Sequence, residues 1–361
     1  MDPDDSILPG QRLRARGADS NPASRYETAS RAAFADGWQL EEEARLVATE
    51  VRLERPRSAI SRNRSPDLPF DRSVNPYRGC EHGCVYCYAR PSHAWLNLSP
   101  GLDFETRLIA RPGIALVLAA ELRQPSYRVA PIALGTNTDP YQPVERDHGL
   151  MRPLLQVLAD FRHPVWITTR GTLIERDIDL IAPLAAQGLA AVSVSVTTLD
   201  DDLARRMEPR APSPQRRLQI IRRLASAGIP VRVQISPLIP ALTDHELESI
   251  MQAAHDAGAR AAHSIPLRLP LEVADLFRRW LQQACPDRYA RVMGRVRELH
   301  GGRDYDPAFG KRMRGQGIWA DLIRRRADVA RKRLGLDEFL PALRCDLFQR
   351  PAQVGDQLSL F

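Results

Sequence analysis

No run of about 18 consecutive apolar residues occurs in this chain of 361, so a membrane-spanning helix is not expected. The opening Met-Asp-Pro-Asp-Asp is acidic and carries no apolar leader core, which argues against secretion. Cysteines number only five, an odd count that does not suit a disulfide framework. Free thiols fit a reducing cytoplasm, which is the expected location. Lysine is nearly missing, with Lys311 and Lys332 the only two among 51 basic residues. That bias reflects GC-rich coding and carries little physical meaning. No internal repeat is visible.

The hydrophobic share of 43% and the length point to one large globular domain with extensions. Charge is unevenly placed. Of the net +7, Arg288–Arg350 holds 16 basic against 8 acidic residues, or +8, leaving −1 for the rest. A localised basic surface is the footprint of a nucleic-acid binder. A solvated helical face would show the same count.

Residues 1–70 are polar and rich in Arg, Ser, Asp and Pro, the composition of a largely disordered extension, with one helix around Trp38–Glu50. From there on, short β-rich runs alternate with helical stretches. The expected strands are Ser73–Arg78, Pro131–Gly135, Pro164–Thr168, Ala190–Thr197, Val231–Ile235 and Arg260–Ile265. The expected helices are Glu105–Leu122, Arg152–Asp160, Glu175–Gln187, Gln215–Ala227, Asp244–Ala257 and Leu271–Ala284. Gly188, Gly228 and Gly258 follow three of these helices, as C′ glycines do. The fold class is therefore α/β. Six strand–helix units suit a partial (β/α)6 barrel over residues 71–285, followed by a basic helical extension (286–350) and a flexible tail (351–361).

One loop stands apart: Asn75-Pro-Tyr-Arg-Gly-Cys-Glu-His-Gly-Cys-Val-Tyr-Cys-Tyr88. Its thiols, Cys80, Cys84 and Cys87, are spaced Cys-x3-Cys-x2-Cys. Three thiolates can hold three irons of a [4Fe–4S] cluster, leaving the fourth iron open where four cysteines would normally close it. A zinc site is the alternative. It needs four ligands, and His82 inside the loop is the available fourth.

The spacing, with Tyr86 before the third cysteine, resembles the signature of the radical S-adenosylmethionine (SAM) enzymes. That resemblance implies the partial barrel, the cluster, SAM bound at the open iron, an electron donor protein as partner, and cleavage of SAM to a 5′-deoxyadenosyl radical. The protein's own task is to bind, orient and shield. The loop Gly135-Thr-Asn-Thr-Asp-Pro-Tyr-Gln-Pro-Val-Glu145 falls where the superfamily holds the SAM amino group, making Thr136, Asn137, Thr138 and Asp139 candidates. An ordinary polar turn has the same composition. Ser195 and Thr197 on the fourth strand are candidates for the SAM ribose or methionine groups. Glu208 is a candidate for contacting SAM or orienting Arg210, and Gln234 begins a strand end suited to an adenine wall. For each of these the plain alternative is packing or a structural ion pair. His263 could face substrate or simply pack.

The cysteine loop with Thr138-Asp-Pro-Tyr-Gln-Pro143 resembles the branch related to spore photoproduct lyase, over roughly residues 70–285. That branch uses a cysteine soon after the cluster loop as hydrogen donor, and here no cysteine lies between Tyr88 and Ala284. Tyr88 and Tyr141 are the candidate relays instead. The final Gln357-Leu-Ser-Leu-Phe361 resembles the bacterial sliding-clamp-binding motif, with Leu358, Leu360 and Phe361 as anchors. The alternative is a tail folded back on the barrel. The leading expectation is a radical SAM enzyme acting on DNA in repair or damage tolerance. A radical SAM enzyme modifying RNA or protein, and a non-catalytic clamp- and DNA-binding adaptor with a structural metal, stand as alternatives.

Overall fold

Strand runs dominated by Val, Ile and Ala, alternating with helices of which three end at a glycine, specify parallel strands with helical crossovers. The structure, a computed structural model, describes residues 16–26 and 47–352. Its strands are β1 (Glu50–Leu53), β2 (Ile60–Arg62), β3 (Arg72–Val74), β4 (Tyr77–Arg78), β5 (Arg107–Ala110), β6 (Ile132–Leu134), β7 (Val165–Thr169), β8 (Ala190–Ser195), β9 (Val231–Leu238) and β10 (Ala261–Pro266). The α-helices are α1 (Asp103–Thr106), α2 (Ile114–Arg123), α3 (Glu145–His148), α4 (Met151–Asp160), α5 (Ile178–Ala186), α6 (Asp201–Met207), α7 (Pro214–Ser226), α8 (Leu247–Asp256), α9 (Val273–Ala284), α10 (Tyr289–Leu299) and α11 (Ile318–Leu334).

The main sheet runs β10-β9-β8-β7-β6-β3-β2. β3 and β6–β10 are parallel, and β2 adds an antiparallel edge. These six parallel strands form the partial barrel; five match expected strands, while the expected Ser73–Arg78 divides into β3 in this sheet and β4 in the small second sheet. Gly188, Gly228 and Gly258 take the left-handed conformation after α5, α7 and α8. Alternation divides each strand between two environments. Val192, Val194, Val231, Val233 and Ile235 join Ile220, Ile221, Leu224 and Ile250 in the core under the helices. The other set, including Ser193, Ser195, Arg232 and Gln234, lines the barrel.

Two expectations change. The helix expected over Glu105–Leu122 is interrupted by β5, which lies between β1 and β4 in a small second sheet. Pro112–Gly113 breaks the helical run, and Gly113, at φ +78°, opens α2. The N-terminal extension, expected to be largely disordered, is packed on the barrel wherever it is described. Polar contacts and strand pairing hold it, so apolar periodicity gave no signal. The helix expected around Trp38–Glu50 lies outside the described residues up to position 46, and the chain then extends into β1.

The turn after β2 is tied to the loop between α10 and α11. Asp67, in the turn after β2, accepts from Gly310 N at 2.7 Å and from Arg312 Nε at 2.7 Å. The basic extension is α10 and α11 followed by a strap, residues 336–352, laid across the strand N-termini. Ala262 N donates to Asp337 O at 2.8 Å, Arg344 N to Gly188 O at 2.9 Å and Gln349 N to Phe161 O at 3.0 Å.

Candidate active site

The cysteine loop leaves β3 and β4 at the C-terminal end of the sheet, where barrel chemistry sits. Cys80, Cys84 and Cys87 are free, the first two buried. The loop is gripped from three sides. Gln142 accepts from Glu81 N at 2.8 Å and donates to Gly79 O at 3.1 Å. The buried Arg90 donates through Nε to Cys84 O at 3.0 Å, and its charge is met by the buried Glu105. Glu105 also accepts from Gly17 N at 2.9 Å and Ala18 N at 2.8 Å. The N-terminal segment therefore backs the loop. A Cβ on Gly17 would lie 1.6 Å from Gly83 O, and Gly83 sits at φ +67°, so both positions require glycine. On the third side Val85 N donates to Met207 O at 3.0 Å, and Arg210 N to His82 O at 3.3 Å.

A buried ionic chain runs from the thiols into the barrel wall. Arg170 follows β7, and its Nη1 lies 3.1 Å from Cys84 Sγ, 2.8 Å from the Tyr86 hydroxyl and 2.7 Å from Glu208 Oε1. Glu208 also accepts from Tyr86, from Thr197 Oγ1 at 2.9 Å and from the buried Arg217. Burial alone would lower the pKa of Arg170. The neighbouring Cys84 and Asp139, with the other two thiols, outweigh it and hold the guanidinium more firmly protonated. Asp139 is likewise buried, which pushes its carboxyl up. His82 at 3.4 Å, Thr169 Oγ1 at 2.6 Å and Arg170 N at 2.8 Å more than offset this and hold it at about 2.

Cys84, Cys87, Tyr86, Tyr88, Arg170 and Arg268 line one pocket, with Ser236, Pro237 and Pro266 as its far wall. The Tyr88 ring carries Arg268 over its face at 4.5 Å, and the Tyr88 hydroxyl donates to Thr136 O.

The remaining candidates divide. Thr136 meets Tyr88 through its carbonyl and Asn137 is half-buried, whereas Thr138 is buried and donates to Tyr77 O at 2.9 Å. Ser195 and Gln234 are buried on neighbouring strands in register. Gln234 lies two residues below the pocket wall at Ser236. Glu208 does not orient Arg210, which instead pairs with Glu81 at 3.1 Å. Tyr141 is corrected as a relay: it is buried in the main core, with its hydroxyl 3.2 Å from Asp177. His263 packs against Glu338 and Phe339 rather than in the pocket. Sequence reasoning missed Arg170, Arg217 and Arg268. Arg170 was findable as the first residue beyond a barrel strand.

The donor set fits an iron–sulfur cluster. Burial, then Asp139 and the two sister thiols, push the Cys80 thiol well up. Burial also pushes Cys84 up to about 12 against the pull of Arg170. Such thiols give up their protons to a cationic group, not to water. His82 is turned to Asp139, so the loop offers three sulfurs. Among the described residues no three His, Cys, Asp or Glu side chains converge on one metal ion. Thiols that each bind a different iron need no such convergence.

Comparison with known proteins agrees. Residues 74–254 match the Radical SAM superfamily, and the chain belongs to it. It is a radical SAM enzyme, and its cofactors are a [4Fe–4S] cluster and SAM. An uncharacterized protein of Mycobacterium tuberculosis is 40% identical over 242 residues, 66% of this chain and 70% of that one. Another, from Methanocaldococcus jannaschii, is 28% identical over 173 residues, covering 48% of this chain and 62% of its own. The fold is similar to that of spore photoproduct lyase. In complex with dinucleoside spore photoproduct, that protein superposes with a TM-score of 0.57 at 14% identity, covering 80% of this chain and 81% of its own. A variant of it with bound AdoMet and the same dinucleoside gives 0.57 at 13% identity, covering 81% and 82%. Among the described residues no helix is long and apolar enough to cross a membrane.

Proposed function

We propose that this enzyme acts on DNA, in repair or damage tolerance, by abstracting hydrogen from a nucleotide held in the thiol-lined pocket. The observation that carries this reading is the fold shared, over four-fifths of each chain, with a lyase that holds a dinucleoside lesion. The pocket's two cations, Arg170 and Arg268, and the basic C-terminal extension are consistent with an anionic partner.

Cys80, Cys84 and Cys87 hold the cluster, which when bound supplies the electron that cleaves SAM. Thr136, Asn137, Thr138 and Asp139 shape the wall for the SAM amino group. Asp139, ionised down to about pH 2, contributes fixed negative charge there. Ser195 and Thr197 serve the SAM ribose or methionine groups and Gln234 the adenine side, Glu208 holds Arg170 beside the cysteine loop, and Arg210 steadies that loop through Glu81. Tyr88 is the hydrogen relay, since its hydroxyl is at the pocket and no cysteine follows the loop before Cys285. A separate electron donor protein reduces the cluster. The tail residues Gln357, Leu358, Leu360 and Phe361 lie outside the described residues. As a clamp-binding segment they would tether the enzyme to replicating DNA.

The test is anaerobic reconstitution with iron and sulfide, reduction with SAM present, and measurement of 5′-deoxyadenosine with and without damaged DNA. Product that DNA stimulates and that disappears in Cys84→Ala is the expected result. Product indifferent to DNA but stimulated by RNA or a protein would overturn the substrate.

A further inference from the structure

The pocket's two cations are not equivalent. Arg170 is committed: its Nη1 meets Cys84 Sγ, the Tyr86 hydroxyl and Glu208, all within 3.1 Å. Arg268 is not. Its guanidinium lies over the Tyr88 ring at 4.5 Å, and its Nη1 donates to Met313 Sδ at 3.0 Å. A ring face and a thioether are weak partners for a group with five N–H donors. Among the described residues no carboxylate pairs with it.

Its place is nonetheless built. Leu267 and Leu269, on either side, are buried in the core cluster that includes Val85 and Tyr86 of the cysteine loop. Leu267 N donates to Leu238 O at 3.0 Å, and Leu267 O lies 3.0 Å from His300 Nε2. Two buried leucines thus leave Arg268 facing the pocket, which it lines with Tyr88. Arg268 is half-buried and Tyr88 is 46% exposed, whereas Cys84 is buried and Arg170 largely so. The thiols and Arg170 therefore mark the inner end of the pocket, and Tyr88 and Arg268 its mouth. A cofactor held at the thiols occupies the inner end, and a substrate arriving afterwards meets the mouth. An anion that keeps part of its water there is less costly to bind than one drawn fully inside.

We propose that Arg268 is the phosphate contact of the pocket mouth: it takes the phosphodiester beside the reacting nucleotide, while Arg170 stays with the thiols. A planar guanidinium with unpaired edges suits bidentate contact with phosphate oxygens, and Tyr88 and Met313 hold it in place without neutralising it. The assignment rests on the nucleic-acid reading in taking the anion to be a nucleotide's.

The test is calorimetric titration of the anaerobic, reconstituted holoenzyme, first with SAM, then, once SAM-loaded, with thymidylyl-thymidine and with its uncharged methylphosphonate analogue. The phosphodiester should bind at least about tenfold more tightly than the analogue, the size of one charged hydrogen bond. Arg268→Gln should erase that margin and leave SAM affinity unchanged. Where Arg268→Gln fails to take up iron, Arg268→Lys, which keeps the charge but not the fork, should shrink the margin. A margin that survives in the variant, or wild-type enzyme that binds both dinucleotides equally, overturns the subsite and keeps the nucleic-acid reading. Loss of SAM affinity in Arg268→Gln also overturns it, and makes Arg268 a contact of the cofactor carboxylate. Wild-type enzyme that binds neither dinucleotide removes the nucleic-acid reading on which the subsite rests. An Arg268-dependent margin for a dinucleotide that fails to stimulate SAM cleavage keeps the subsite and removes the DNA-repair reading.

Discussion

At the strand N-termini the barrel is sealed by rings and backbone. Phe348 of the strap packs against Tyr127, Phe161 and His163, with ring centroids 5.6–6.2 Å apart. Both nitrogens of His163 are engaged, one with the Tyr127 hydroxyl at 2.7 Å and the other with Pro164 O at 2.9 Å. At the strand C-termini the chain buries charge instead: Arg170, Glu208 and Arg217 together, Asp139 against His82, and three thiols. One end is closed by groups that satisfy each other. The other keeps ionised groups facing a pocket, which is worth its desolvation cost only where chemistry needs a fixed field.

Breaking the charged end should have the larger effect. Glu208→Ala leaves Arg170 and Arg217 without their shared carboxylate, and an uncompensated buried charge costs about 3–5 kcal/mol. Denaturant unfolding should show that loss, and iron bound per chain after reconstitution should fall with it, because Arg170 and Tyr86 lose their anchor beside Cys84. Full stability in this variant would show that the ionic chain is not what holds the loop.

The sealed end should respond to acid rather than to iron. Burial lowers the pKa of His163 to about 4 from 6.5. The neutral ring is the folded form, so its contribution is complete above pH 6.5 and is lost as pH falls towards 4. The full loss is about 3 kcal/mol. Unfolding measured across that window should show the slope, and His163→Phe should flatten it. Phe348→Ala should cost somewhat less, about 2 kcal/mol for a half-buried ring, with iron content unchanged. A fall in iron with Phe348→Ala would mean that the two ends are coupled.

These ends differ in how plainly the sequence announces them. The cysteine spacing marks its own loop, and the barrel follows from short β-rich runs alternating with helices, three of them ended by glycine. Buried ion pairs leave no such mark: nothing in the spacing of Arg170, Glu208 and Arg217 says that they meet. Tyr141 shows the converse. Its neighbours, Asp139 and Gln142, serve the site, but its side chain points into the core, and adjacency in sequence does not reveal direction. The N-terminal segment was legible only as polar. Its order comes from Glu105, 88 and 87 residues away in the chain, capturing the backbone of Gly17 and Ala18. The strap was hidden for the same reason, since it docks mainly by backbone hydrogen bonds to loops.

A smaller effect is expected where the turn after β2 meets the loop before α11. Asp67 and Arg312 are partly exposed, and Arg312 also donates to Ser65 Oγ at 2.6 Å. An ion pair of this kind contributes within about 1 kcal/mol, so Asp67→Asn should barely move global stability. Its local effect should be clearer. Asp67 is the acceptor for Gly310 N, and a weaker acceptor frees the loop before α11, which carries Met313 against Arg268 at 3.0 Å. Arg268 in turn covers Tyr88. Amide exchange at residues 309–313 should rise in Asp67→Asn and, to a lesser degree, in the native protein at high salt, which screens exposed pairs. Exchange unchanged under both conditions would mean that packing, not this pair, holds the loop before α11 in place.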